Sequence, residues 1–181
     1  MTNNAVTSVR AHHTNAPQGT AKTHTLIISV VDRPGAVDRV VGVLRRRRSM
    51  LKSFALAPDT QPEVFRVTVQ VQDAEVVIDH LVAQIRKIID VQEVINVTAA
   101  QAVQLEIVLI QIATSTVQSA DLIAAGQQAG ATVVDTTPVA MTFEATGSPE
   151  EIDQVVAAFQ SYPIHDIVRS GCVAMARLSS V

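Results

Sequence analysis

One order of local patterns occurs twice along this chain, and that doubling leaves few folds open to it. From His24 onward, Thr25-Leu26-Ile27-Ile28-Ser29-Val30-Val31 is short and rich in β-branched residues, which predicts a buried strand. Asp32-Arg33-Pro34-Gly35 is a turn, after which Val37, Val40, Val41 and Leu44 fall at helical spacing. Residues 50–57 are extended, and 58–62, bounded by Pro58 and Pro62, form a loop. Phe65, Val67, Val69 and Val71 alternate with Arg66, Thr68 and Gln70, the pattern of a strand covered on one face. Val77, Ile78, Leu81, Ile85 and Ile88 mark a second helix, and residues 91–98 a closing strand.

The second half repeats the order. Residues 103–112 alternate as a strand, 117–129 suit a helix, and Gly130 sits where a left-handed residue ends one. Strands are expected at 132–136 and 141–146. Ser148-Pro149-Glu150-Glu151 is a capping box with proline at the first helical position, followed by Ile152, Val155, Val156 and Phe159 on one stripe. Residues 164–168 and 172–178 form a final strand pair, or one strand bent at Ser170-Gly171. The predicted class is α+β: two tandem ferredoxin-like βαββαβ sandwiches. Residues 1–22 read as a flexible tail, 23–98 as the first domain and 99–181 as the second. The first strand is apolar on both faces, since Ile27 and Val31 oppose Leu26, Ile28 and Val30. A two-layer sandwich cannot hide both, so the free face or edge is expected to pair with another subunit.

Composition excludes several functions. Hydrophobic residues at 48% supply a core. A net charge of −3 and an aromatic content of 3% argue against a nucleic-acid platform. The single cysteine, Cys172, rules out an intrachain disulfide, and no apolar run approaches the ~18–20 residues that span a bilayer. The tail lacks the apolar stretch of a signal peptide, so the chain is expected to be cytoplasmic. His12 and His13 read as solvated rather than metal-binding. The halves differ in charge: residues 24–98 carry a balance of +1 and residues 99–181 one of −6.

No nucleophile elbow, Walker loop or dinucleotide fingerprint is present, and Cys172 reads as a buried core thiol with His165 a weak companion. Two features remain. Arg45-Arg46-Arg47-Arg48 closes the first helix, as a solvated helix end or as an anion or acidic-partner surface. Asp32-Arg33-Pro34-Gly35-Ala36-Val37 runs strand, turn, helix, where Gly35 permits close backbone approach and the helix start can receive a carboxylate.

That turn, together with His24-Thr25-Leu26 and Asp38-Arg39-Val40, resembles the opening of an ACT domain. The similarity continues through Ala57-Pro58, Ile88-Ile89-Asp90-Val91, Val134-Asp135-Thr136-Thr137-Pro138 and Ile167-Val168-Arg169-Ser170-Gly171. Over residues 24–178 the chain resembles the small regulatory subunits of acetolactate synthase. The resemblance implies a non-catalytic protein that forms a homodimer through its first domain and activates a large catalytic subunit in branched-chain amino acid biosynthesis. Feedback inhibition by a branched-chain amino acid, usually valine, is part of the same implication. Thiamine diphosphate, Mg and FAD would belong to the catalytic subunit, and this chain would need no cofactor, metal, membrane or nucleic acid.

Carried over by position, the effector site would comprise Asp32, Gly35, Ala36, Val37, Met50 and Leu51. Three positions depart from the family pattern: Asp32 and Met50 stand where asparagine is usual, and Arg48 where glycine is. Arg48 would strain a left-handed helix end, and Met50 lacks an amide's hydrogen bonds. Asp32 would attract an ammonium and repel a carboxylate. The departures put valine sensitivity in question more than family membership. A free-standing ACT-type amino-acid sensor, or a nucleic-acid-binding ferredoxin-like protein using the arginine run, are the alternatives.

Overall fold

The structure is a computed structural model in which residues 21–46, 50–115 and 117–178 are described. Residues 1–20 of the expected tail thus lie outside the described residues, and Lys22 already belongs to the first strand. The first unit comprises β1 (Lys22–Val31), α1 (Ala36–Arg46), β2 (Met50–Pro58), β3 (Val64–Asp73), α2 (Glu75–Ile85) and β4 (Val91–Val97). Its antiparallel sheet has the order β2-β3-β1-β4, which leaves β2 and β4 as edges. A short 3-10 turn (Ala99–Gln101) leads into β5 (Ala102–Ala113), α3 (Ser119–Gln128), β6 (Thr132–Thr136), β7 (Ala140–Gly147), α4 (Pro149–Ala158), β8 (Ile164–Arg169) and β9 (Val173–Ala176).

Each unit packs its helices on one sheet face. In the first, Leu26, Ile28 and Val30 of β1 and Val67, Val69 and Val71 of β3 meet Val40, Val43 and Leu44 of α1 and Ile78, Leu81 and Ile85 of α2. The helical stripe differs from expectation: Ala36 and Val43 are buried, whereas Val37 and Val41 are only partly so. Ile88 lies beyond the end of α2 but still packs on the core. In the second unit the rings of Phe143 and Phe159 meet at 4.9 Å, tilted by 42°, in the core between sheet and helices. Gly126 lets α3 settle on that pair, because a Cβ there would stand 2.4 Å from a Phe143 ring carbon. The capping box forms as expected: Ser148 Oγ accepts from the Glu151 N–H at 3.3 Å, and the Glu151 carboxylate accepts from the Ser148 N–H at 2.7 Å. The bond from the Ser148 N–H, and a second from the Ser148 hydroxyl at 2.9 Å, hold the Glu151 carboxyl below its ordinary pKa.

The second sheet departs from a plain βαββαβ unit. β5 is twelve residues long, and its two halves have different partners. Val108 to Ile112 pair with β8, while Ala102 to Leu105 pair with β9. The chain turns between those strands at Gly171, whose φ of +77° suits glycine. The ribbon of β5 and β9 reaches across the first sheet, where Ala102 and Ala174 pack on Ile27 and Val97. Two expectations are corrected by this contact. The second face of β1 is covered in part by this chain's own ribbon, and β3 is covered on both faces, with Thr68 and Gln70 buried as well. The pattern of residues 65–71 could not reveal this, because the covering residues lie some thirty or more positions away.

Candidate functional site

The turn after β1 is held from three sides. Backbone bonds run from the Asp32 N–H to the Glu63 carbonyl (2.7 Å), from the Arg33 N–H to Val31 (2.9 Å) and from the Ala36 N–H to Arg33 (3.0 Å). Gly35 has φ +78°, and the Arg39 N–H bonds to its carbonyl, so Gly35 caps α1. Ala36 is buried and anchors the helix start, Val37 is half-buried, and Asp32 and Gly35 face solvent.

Beneath the turn sits a carboxylate that sequence reasoning had placed only within a family-like segment. Asp90, 2% exposed, forms ion pairs with Arg33 Nη1 (3.5 Å) and Arg39 Nη2, and its carbonyl accepts the Val31 N–H at 2.8 Å. One buried acid therefore joins the end of β1, the turn and the first helical turn. Arg33 and Arg39 are separated by six residues and from Asp90 by more than fifty, so no local spacing signals the cluster.

The six sequence-predicted site residues do not meet within one chain. Asp32, Gly35, Ala36 and Val37 lie beyond the end of β1, which pairs with Val64 of β3. Met50 and Leu51 begin β2 opposite Gln72 and Val71, and both are exposed. Seven residues of β3 separate those levels, about 23 Å at strand rise. The separation arises because α1 returns the chain along the length of the sheet. Arg48, with Arg47 and Ser49, lies outside the described residues, while Arg45 and Arg46 are exposed at the end of α1.

A polar bridge links the units near Met50. A bulge interrupts the register between Leu51 and Ser53. Ser53 Oγ accepts the Cys172 N–H at 3.4 Å and donates to Gln70 Oε1 at 3.3 Å. Gln70 Nε2 donates to Gln104 Oε1, and Gln104 Nε2 donates to Thr25 Oγ1. Beside the bridge, a polar cleft of about 480 Å³ is walled by Lys52, Glu106, Asp153 and Arg169.

Cys172 is fully buried, and burial, then Glu106 and Glu150, push its thiol up to about 11. Its Sγ contacts the Val173 carbonyl, and no hydrogen bond joins it to His165 among the described residues. The folded chain is therefore expected to react with iodoacetamide roughly a hundredfold more slowly than the urea-unfolded chain at about pH 8. The raised value also favours the fold at pH below about 8.5, a contribution lost as pH rises through 11. Equal alkylation rates for folded and unfolded protein would contradict the burial. Among the described residues no group of three or more His, Cys, Asp or Glu could hold a metal, and no helix is long and apolar enough to cross a membrane.

Comparison with known proteins adds to this geometry. Residues 26–93 match the model of the AHAS small subunit-like ACT domain, and residues 105–178 match that of the small subunit of acetolactate synthase. The acetolactate synthase small subunit of Mycolicibacterium smegmatis is 30% identical over 86% of this chain and 91% of the relative. Acetolactate synthase small subunit 2, chloroplastic, of Arabidopsis thaliana is 30% identical over 88% of this chain, which spans only 34% of that longer protein. The crystal structure of the acetolactate synthase small subunit from Thermotoga maritima superposes with a TM-score of 0.77 at 20% identity, covering 86% of this chain and 98% of the other, and so supports the fold. Both units, in order, match the same family at this identity and coverage, and the chain belongs to the ACT-domain small subunits of acetolactate synthase.

Proposed function

We propose that this chain binds and activates the catalytic subunit of an acetolactate synthase and confers a response to a branched-chain amino acid. The observation that carries the reading is the conjunction of both family-matched units with an anchored, solvent-facing turn at Asp32–Gly35. The turn offers backbone N–H groups at a helix start to a carboxylate, and Val37 offers an apolar contact beside them. The chain contributes no chemistry of its own to pyruvate condensation; its effect is on the enzyme it joins.

A homodimer completes the effector site in this reading. β2 is an open edge. A two-fold axis at Phe54 that pairs two β2 strands antiparallel sets Met50 of the partner subunit opposite Pro58. Pro58 pairs with Phe65, at the level of the β1 end, so the partner subunit's Met50 and Leu51 arrive at the end of the sheet that bears Asp32–Val37. The six residues separated by about 23 Å within one chain then belong to one seam.

The test is reconstitution. Adding this chain to its separately purified catalytic subunit is expected to raise acetolactate formation several-fold, and valine, leucine and isoleucine are titrated into the mixture. No comigration and no rate change would overturn the reading. A ligand-induced thermal shift in their absence would instead favour a free-standing amino-acid sensor.

A further inference from the structure

On the helix face of the first sheet, α1 and the loop between α2 and β4 enclose an open groove of about 730 Å³. Its apolar lining comprises Val43 and Ile88, which are buried or half-buried, and Ile89, which is 86% exposed. Its rim carries Arg39, Arg46 and Lys87, and no carboxylate among the described residues lines it. Arg46 and Lys87 have no ion-pair partner among the described residues, and Arg39 leans on Asp90. An apolar centre inside a cationic rim is the anatomy of a protein-docking surface.

We infer that this groove docks an acidic, apolar-centred segment of the catalytic subunit. The inference rests on the regulatory reading proposed above and assigns it a contact surface. Charge complementarity selects an acidic occupant. The acidic material of this chain is its own second unit, with a balance of −6, but that unit packs on the opposite face of the first sheet through β5 and β9. Edge pairing of two β2 strands continues one sheet and keeps all four helices on one face. The second copy's acidic unit is then also on the far side, and the groove faces a different protein. Arg39 gives the docked segment a route to the effector turn: a carboxylate in the groove competes with Asp90 for its guanidinium, and Asp90 is the group that holds Arg33 in the turn.

The experiment titrates the catalytic subunit with the full chain and reads the half-saturating concentration from acetolactate formation. The double variant Arg46→Glu/Lys87→Glu is expected to raise that concentration roughly tenfold or more, and Ile89→Ser about fivefold, with the maximal rate retained. Arg177→Glu, a single charge reversal at an exposed position just past β9, is expected to leave it unchanged. Raising salt from about 50 to about 300 mM weakens the wild-type complex more than the double variant. Thermal melts and sedimentation confirm that each variant is folded and self-associates. If the wild type activates and both groove variants titrate like it, the docking assignment is wrong while the regulatory reading stands. If the groove variants lose self-association, the groove belongs to a second copy and the assignment is overturned. If the wild type neither binds nor activates, the regulatory reading falls and takes the groove's occupant with it.

Discussion

Arg169→Met is expected to lower the unfolding midpoint by about 5–10 °C, from a loss of about 2–3 kcal/mol. Arg169 ends β8 and grips Glu106 of β5 with two parallel bonds of 2.8 Å, while a third bond of 2.6 Å reaches Asp153 of α4. Glu106 is nearly fully buried, so removing its partner strands a carboxylate in the sheet. Breaking a fully buried pair costs about 3–5 kcal/mol; the lower figure here reflects Arg169, which is about one-third exposed and partly screened. The hydrogen bonds that the guanidinium donates to Glu106, and to Asp153, raise its pKa above its already high ordinary value. A raised value keeps its stabilisation intact throughout the neutral and mildly alkaline range, unlike that of the Cys172 thiol. The double variant Glu106→Gln/Arg169→Met removes the stranded charge and is expected to recover more than half of the loss. Thermal denaturation of the two variants decides the matter, and a midpoint for Arg169→Met within about 1 °C of wild type would show that Glu106 finds other solvation.

Asp32→Asn is expected to tighten valine binding about tenfold, equivalent to about 1.4 kcal/mol, at low salt. The Asp32 backbone is fixed by its bond to Glu63, so the substitution changes charge and hydrogen-bonding character rather than the path of the turn. A carboxylate within about 5 Å of an incoming carboxylate opposes it by roughly 1–3 kcal/mol at effective dielectric constants between protein surface and water. Asparagine removes that opposition and adds a donor. Because Asp32 is exposed, the gain is expected to shrink at about 300 mM salt. Calorimetric titration of the wild-type and variant chains with valine measures both values. Equal affinities for the wild type and the Asp32→Asn variant would mean that the ligand carboxylate is held elsewhere.

Much of the local structure was legible because its causes are local. The capping box at Ser148, the left-handed Gly130 and the bend near Gly171 all follow from neighbouring side chains and backbone sterics. The alternation of β5 likewise announced a strand, and Val108, Ile110 and Ile112 are buried on one of its faces. Family membership was legible for a different reason: a long ordered set of short motifs accumulates specificity that no single motif has.

The site was less legible. Asp90 earns its role from two arginines more than fifty residues away, and a buried acid looks like any other acid until burial is known. Ser53, Gln70 and Gln104 form an inter-unit bridge although each reads as an ordinary polar residue. Turn chemistry, helix ends and strand periodicity were decided by the amino-acid order, since they depend on contacts a few residues apart. Which face the second unit covers, which charges it buries and how far Met50 stands from Gly35 were decided only by tertiary packing, since those contacts join residues whose separation along the chain carries no periodic signal.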